Sequence, residues 1–165
     1  MRVYGVTGWK NTGKTHLTER LVAEIAGRGL SVSTVKHAHH DALVDHPGTD
    51  SFRHRQAGAR EVLLASPRRW ALMAELRGAP EPPLEALLAR LSPVDLVLVE
   101  GYKRSPHPKV EAWRAATGRP LLAPGNATVQ AIAADSPPPG AGDLPVLDLD
   151  DTAGIADFIL REVGL

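Results

Sequence analysis

Residues 8–15 read Gly8-Trp9-Lys10-Asn11-Thr12-Gly13-Lys14-Thr15, which is the G-x-x-x-x-G-K-T pattern of a phosphate-binding loop (P-loop). The residues just before it, 3–7, form a short and mostly apolar run that is typical of a buried strand. After the loop, Leu17, Leu21 and Ile25 recur at helical spacing. A strand, a glycine-rich loop and a helix in this order predict a nucleotide-binding site.

The residue types of this loop suit the binding of phosphate. Glycines allow backbone angles and a close approach that a β-carbon would block, so that N–H groups of the loop and of the helix start face the phosphates. We expect Lys14 to reach the β- and γ-phosphates and the Thr15 hydroxyl to help hold Mg²⁺. The residues predicted to contact nucleotide are Gly8, Asn11, Thr12, Gly13, Lys14, Thr15 and His16. The alternative, a glycine turn that carries a lysine by chance, is disfavoured by the flanking strand and helix.

The overall composition limits the class of protein. The length of 165 residues suggests a single domain, residues 1–165, with a sizeable core. The formal net charge is zero, so no overall basic field attracts nucleic acid or a membrane surface. The absence of cysteine excludes disulfides, thiolate catalysis and cysteine-based metal sites. No apolar run approaches the roughly 18 residues of a membrane span, and the N-terminus leaves no room for a signal peptide, so we expect a cytoplasmic protein.

The rest of the chain alternates between strand and helix patterns. Strands are predicted at residues 30–36, 95–101, 110–113, 121–123, 129–134 and 145–149, and helices at 51–59, 84–91 and 155–163. Residues 61–66 and 70–76 are expected to form an antiparallel pair at a sheet edge, although the second run would also suit a helix. These patterns predict an α/β fold of the P-loop NTPase type, with a mostly parallel sheet flanked by helices and an antiparallel edge hairpin.

Two details of this fold can be predicted from local rules. The first strand, the helix after the P-loop and the strand at 30–36 form a βαβ unit, so we expect the two strands to pair in parallel with a right-handed crossover. Asp50 or Ser51 is expected to cap the helix at 51–59, since both types accept hydrogen bonds from the first N–H groups of a helix.

The clearest buried strand, residues 95–101, ends in an acid, Glu100. An acid at the tip of a parallel strand beside a P-loop is the Walker B arrangement, in which it contacts Mg²⁺-bound water or orients a nucleophile. Thr15 and Glu100 are therefore the predicted Mg²⁺ site, and Glu100 is the predicted catalytic residue. Asp95 lies roughly 15 Å away, at the wrong end of the strand. The alternative for Glu100 is a purely structural acid at a strand end.

Residues 37–50 follow a predicted strand and contain four histidines and three aspartates. In open α/β sheets, ligands bind at the carboxyl ends of the strands. A metal site is one interpretation, but the spacing matches no standard zinc pattern. A loop that contacts phosphate and Mg²⁺ at the neighbouring P-loop is favoured, and a purely structural loop is the third interpretation.

Asp135 directly follows the predicted strand at 129–134. Several P-loop GTPases recognise the N1 and N2 donors of guanine with an aspartate carboxylate. The usual N-K-x-D sequence does not occur in this chain, so Asp135 is a candidate base reader on its position alone.

Segments from several parts of the chain together match one family pattern. They are the P-loop with the helix behind it, T-V-K-H-A-H-H-D at 34–41, D-H-P-G-T-D-S at 45–51, R-x-A-G-A at 55–59, L-A-S-P-R-R-W-A-L-M at 64–73 and D-L-V-L-V-E-G-Y-K at 95–103. In this combination the chain resembles the MobB family of molybdopterin-guanine dinucleotide biosynthesis accessory proteins. The P-loop is shared with many families, whereas the K-H-x-H-H-D and V-E-G-Y-K segments are much more specific.

The resemblance implies a GTP-binding P-loop protein, commonly a homodimer, that uses Mg²⁺ and hydrolyses GTP weakly. It also implies a partnership with the guanylyltransferase MobA, which attaches GMP to molybdopterin, and it leaves direct binding of molybdopterin open. The residues implied to face nucleotide, pterin or partner are His37, His39, Asp41, Asp45 and Asp50. Two positions depart from the family pattern, since His16 stands where a second Thr is frequent and Thr49 stands where a Lys is common.

Two other functions are open from the residues alone. A P-loop small-molecule kinase or ligase that uses ATP would need an acceptor site, a base near the γ-phosphate and a lid with arginines. Arg53, Arg55, Arg68 and Arg69 are available, but they form no recognisable lid pattern. A regulatory GTPase switch would need the base-recognition motif that is missing. The favoured hypothesis is therefore a GTP-holding accessory protein.

Overall fold

The computed structural model describes residues 1–38 and 44–165. The strands are β1 (Arg2–Thr7), β2 (Val32–Lys36), β3 (Glu61–Ala65), β4 (Trp70–Ala74), β5 (Leu96–Glu100), β6 (Lys109–Trp113), β7 (Val129–Ala134) and β8 (Val146–Asp148). The helices are α1 (Lys14–Gly27), α2 (Asp50–Gln56), α3 (Leu84–Leu88) and α4 (Thr152–Val163). Within the described ranges, none of the helices has the length and apolar character needed to traverse a bilayer.

Contacts between residues divide the chain into two compact units. One unit contains residues 1–37 and 84–165, and the other contains residues 38–83. The first unit is therefore assembled from two separate stretches of the chain. The prediction that residues 1–165 form a single domain stays a prediction.

The first unit is built on a six-stranded parallel sheet with the order β2-β5-β1-β6-β7-β8. Tyr4 and Val6 of β1 pack on one face against α1 and α4. Leu84 of α3 packs against Val97 and Val99 of β5 on the opposite face. Because both faces are covered, β5 and β6 are buried at every position. The predicted α/β class, with a mostly parallel sheet flanked by helices, is confirmed.

The strand order corrects one expectation. β1 and β2 are parallel, but they do not pair with each other, because β5 lies between them. The expected direct pairing is wrong because a βαβ crossover fixes direction and handedness and leaves room for a strand in between. The register puts Glu100 of β5 level with Val6 of β1 and Lys36 of β2. The acid at the end of β5 therefore lies between the ends of its two neighbours.

The strand expected at residues 121–123 does not form, and a short 3₁₀ helix, Ala123–Gly125, begins there instead. The backbone N–H groups of Leu122 and Ala123 donate to the carboxylate of Glu111 in β6, at 2.8–3.0 Å. These donors are then unavailable for a strand ladder, which explains the turn.

Helix α2 begins one position earlier than expected and uses a different cap. The hydroxyl of Thr49 accepts a hydrogen bond from the N–H of Phe52, at 3.4 Å. The prediction that Asp50 or Ser51 is the cap is therefore wrong, since both are already inside the helix. Thr is among the preferred capping types, so the local chemistry is as expected and its position is shifted.

The second unit, described for residues 38 and 44–83, contains α2 and the hairpin β3-β4. The two strands pair antiparallel, with Leu63 opposite Leu72, which confirms the predicted antiparallel pair. They form a two-stranded sheet of their own and not an added edge of the parallel sheet. Arg55 of α2 binds both carboxylate oxygens of Asp45, at 2.5 and 3.0 Å, and also contacts Glu75. This ion cluster ties the loop before α2 and the end of β4 to the helix.

Candidate nucleotide site at the carboxyl edge of the sheet

The P-loop joins the carboxyl end of β1 to the start of α1, and its backbone requires glycine at a point of close contact. Gly8 has a φ of 139°, and a β-carbon there would lie 2.4 Å from the carbonyl oxygen of Ala112 in β6. It would also lie 2.7 Å from Thr12 Oγ1. Asn11 and Gly13 have positive φ angles of 67° and 93°. The loop thus curls tightly around the N-terminus of α1, as phosphate binding by backbone N–H groups requires.

Lys14 is the first residue of α1, and its ammonium group lies inside the loop. Its Nζ donates to the carbonyl oxygen of Trp9 at 2.5 Å. Burial lowers the pKa of Lys14, the carboxylate of Glu100 opposes this change, and the charges of Lys103 and Lys36 add to it. A bound phosphate would stabilise the protonated amine, because it brings negative charge into a group of three neighbouring cations.

Thr15 and Glu100, the two residues predicted to hold Mg²⁺, are in direct contact. Thr15 Oγ1 donates to Glu100 Oε1 at 2.8 Å, and Glu100 is only 8% exposed. Asp95 lies at the other end of β5, where its carboxylate accepts hydrogen bonds from the N–H and hydroxyl of Ser31, at 2.8 and 2.6 Å. The structure thus brings the start of α1 and the tip of β5 together and keeps Asp95 apart.

The chemistry of this pair fits Mg²⁺. The ion takes few oxygen ligands from protein and completes its octahedron with water and substrate phosphates. A hydroxyl and a carboxylate next to a P-loop therefore suit a metal whose other ligands are water and phosphate oxygens. Across residues 1–38 and 44–165, no group of three or more His, Asp or Glu side chains is placed to hold a metal ion.

Lys36, the last residue of β2, also contacts the pair and was not among the predicted site residues. Its Nζ lies 3.1 Å from Thr15 Oγ1 and 3.3 Å from Glu100 Oε1. The signal that could have identified it is its place at a strand end, one residue before His37. That signal becomes useful only once β5 is known to be the neighbour of β2.

The ring of Trp9 and several cationic side chains lie along one side of the P-loop. The indole Nε1 of Trp9 donates to the carbonyl oxygen of Pro120 at 2.7 Å. Lys103 Nζ lies 4.2 Å from the centre of the Trp9 ring, and the guanidinium of Arg119 lies 5.9 Å from it. Arg114 lies against the last glycine of the loop. Three cations therefore line this side of the loop, which favours an anionic ligand.

Asp135 and His16 stand at the margin of the site. Asp135 follows β7 at the same edge of the sheet, and its Oδ1 accepts from the N–H of Ala115 at 3.0 Å. Arg114 Nη1 lies 3.9 Å from Oδ2 of the same carboxylate. Base recognition by Asp135 stays a prediction, and one of its oxygens already holds the loop after β6. The side chain of His16 is exposed, with Nδ1 3.7 Å from Glu19 Oε2.

His37 belongs to the first unit and contacts residues at the end of β5. Its backbone N–H donates to the carbonyl oxygen of Glu100 at 2.9 Å. Its ring stacks on that of Tyr102, with 4.7 Å between centroids. The residue is thereby fixed next to the acid at the tip of β5.

Two other residues of the implied pterin or partner loop, Asp45 and Asp50, belong to the second unit. Asp45 is buried, and its hydrogen bonds to Arg55 hold the pKa of that carboxyl below its usual range. This ion pair with Arg55 gives Asp45 a structural role within the second unit. Asp50 is exposed at the start of α2. His39 and Asp41 lie outside the described residues.

The family of this chain follows from its likeness to known proteins. The model of a family described as MobB, molybdopterin guanine dinucleotide synthesis protein B, matches residues 3–135. This chain belongs to the MobB family. Molybdopterin-guanine dinucleotide biosynthesis adapter proteins of Escherichia coli (strain K12) and Haemophilus influenzae are each 40% identical to it, over 156 and 158 residues. These matches cover 93% and 94% of this chain, and 88% and 85% of the relatives.

A solved MobB structure supports the same conclusion. The X-ray structure of the MobB protein homolog from Bacillus stearothermophilus is 30% identical to this chain, with a TM-score of 0.72 over 99% of both chains. The resemblance drawn from the motifs is thereby confirmed. As a MobB protein, the chain has a role in the synthesis of molybdopterin guanine dinucleotide.

Proposed function

We propose that this MobB protein binds GTP with Mg²⁺ at the P-loop and assists the guanylyltransferase MobA in attaching GMP to molybdopterin. The observation that carries the proposal is the contact of Thr15 Oγ1 with Glu100 Oε1, at 2.8 Å, beside the ammonium of Lys14. Lys14 would bind phosphate, and Thr15 and Glu100 would hold the metal. His37 would face MobA or molybdopterin, and the action would take place in the cytoplasm, where GTP is made.

We expect hydrolysis at this site to be slow. Mg²⁺ would neutralise charge on the phosphate oxygens. Glu100 Oε1 already accepts from Thr15 and lies 3.3 Å from the ammonium of Lys36. These contacts leave the carboxylate poorly placed to act as a base. The site therefore suits the holding of GTP better than rapid turnover.

Calorimetric titration with GTP and with ATP, each in the presence of Mg²⁺, tests this function. We expect GTP to bind at least about tenfold more tightly than ATP. The release of phosphate from GTP should be slow in the wild type and slower still in Glu100→Gln. The control variant Asp95→Asn, changed at the other end of β5, should hydrolyse GTP at the wild-type rate. Tighter binding of ATP than of GTP would reject the proposal and favour an ATP-dependent small-molecule kinase or ligase.

We also propose that the chain forms a homodimer through the hairpin β3-β4. Leu63, Trp70 and Leu72 lie on one face of the hairpin and are 62%, 64% and 40% exposed. Exposed apolar side chains grouped in this way mark interfaces, and a second copy offers the same patch around a two-fold axis. Light scattering should give twice the chain mass of 17.6 kDa. A mass of one chain at micromolar concentration would reject the dimer.

A further inference from the structure

Three side chains from three separate elements meet at one point of the site. They are the ammonium of Lys36 at the end of β2, the hydroxyl of Thr15 at the start of α1 and the carboxylate of Glu100 at the tip of β5. The ammonium lies 3.1 Å from Thr15 Oγ1 and 3.3 Å from Glu100 Oε1, and these two oxygens are 2.8 Å apart. Lys36 thus contacts both oxygens that the proposed function gives to Mg²⁺.

A metal ion and this ammonium cannot share the two oxygens. Mg²⁺ binds oxygen at about 2.0–2.1 Å, and a second cation within about 3 Å of it would be strongly repelled. Lys36 must therefore leave the pair when the metal is held there. Its side chain is 55% exposed, so it can move through solvent without disturbing the core.

Lys36 also lies close to the phosphate-binding lysine, because its Nζ is 3.1 Å from the hydroxyl of Thr15, the residue after Lys14. An ammonium in this position can offset phosphate charge when little metal is present. It can also hold Glu100 against Thr15, so that the pair stays assembled.

We propose that Lys36 is an internal competitor of Mg²⁺, which occupies the Thr15–Glu100 pair at low Mg²⁺ concentration, supports nucleotide binding there and gives way as the concentration rises. This inference rests on the proposed function and deepens it. It assigns the Mg²⁺ dependence of nucleotide binding to one side chain on a neighbouring strand.

Titration of the full chain with β,γ-imido-GTP at a series of Mg²⁺ concentrations tests the inference by calorimetry. Lys36→Met removes the ammonium and keeps an unbranched stem, and Lys36→Gln serves as a second variant with the same expectation. The Mg²⁺ midpoint is the Mg²⁺ concentration that gives half of the Mg²⁺-dependent gain in nucleotide affinity. It should be about threefold or more lower in these variants than in the wild type. Affinity in EDTA should fall as well, because the supporting cation is gone.

Lys10→Met is the matched control. Lys10 is an exposed lysine of the P-loop to which no contact with phosphate or metal is assigned. We expect its Mg²⁺ midpoint to equal that of the wild type. An unchanged or higher midpoint in the Lys36 variants, or an equal fall in Lys10→Met, would overturn the inference while GTP binding by the wild type still stands. A wild-type chain that binds no nucleotide would overturn the proposed function and this inference with it.

Discussion

A Lys14→Ala variant is expected to bind GTP with Mg²⁺ about a hundredfold more weakly than the wild type, a loss of ~3 kcal/mol. The side chain supplies a charge-assisted contact to the phosphates, and its Nζ already lies in the loop, 2.5 Å from the Trp9 carbonyl oxygen. Since burial lowers the pKa of Lys14, its removal relieves a partly buried cation. The melting temperature should therefore stay the same or rise slightly, and calorimetry with thermal unfolding measures both effects.

Lys10→Ala is the matched control for this loss. Lys10 is an exposed residue of the same loop, so its removal changes the net charge of the loop equally. We expect the GTP affinity of this variant to stay within about threefold of the wild type. If both variants lose the same affinity, or if Lys14→Ala loses none, Lys14 does not bind phosphate in the way proposed.

A Gly8→Ala variant is expected to lose about 3 kcal/mol of folding stability together with its nucleotide binding. The new β-carbon would lie 2.4 Å from the carbonyl oxygen of Ala112 and 2.7 Å from Thr12 Oγ1. The first of these atoms is backbone of β6, a strand paired with β1, so it cannot move without opening the sheet. The φ of 139° adds strain for any residue with a side chain. Chemical denaturation measures the stability, and titration with GTP measures the binding.

Gly27→Ala separates this clash from the general effect of replacing glycine. Gly27 is the last residue of α1, and a β-carbon there would meet nothing within 4 Å. Stability should stay the same or rise by up to about 1 kcal/mol, because Ala favours a helix more than Gly does. A Gly8→Ala variant as stable as the wild type would show that the loop can adopt another backbone path.

The parts of this fold that local patterns determine could be predicted from the sequence. The P-loop, the apolar run of β5 and the helical spacing after Thr15 each depend on neighbouring residues only. The order of the strands depends on contacts between residues far apart in the chain. For that reason the pairing of β5 with β2 was not predicted, and Lys36 was not recognised as a neighbour of Glu100.

Local sequence patterns also could not predict which charged residues are buried. Lys109 and Glu111 alternate with apolar residues in β6, as exposed residues usually do, yet both are fully buried. Lys109 Nζ donates to the carbonyl oxygens of Ser105 and His107 and to the hydroxyl of Thr128. Burial lowers the pKa of Lys109 to about 8, which leaves it protonated at neutral pH. Backbone groups of neighbouring loops form hydrogen bonds with both charged side chains. The residue pattern of β6 alone does not indicate that these partners exist.

The position of β1 in the sheet has a consequence for the synthesis of the protein. β1 is translated before both of its partner strands, which come from residues 96–113. All of residues 38–83, which form a unit of their own, are translated in between. Pairing across such a long stretch is slow, and Gly8 packs against Ala112. The surroundings of the phosphate-binding loop are therefore completed only after residue 112 has emerged, about a hundred residues after the loop itself.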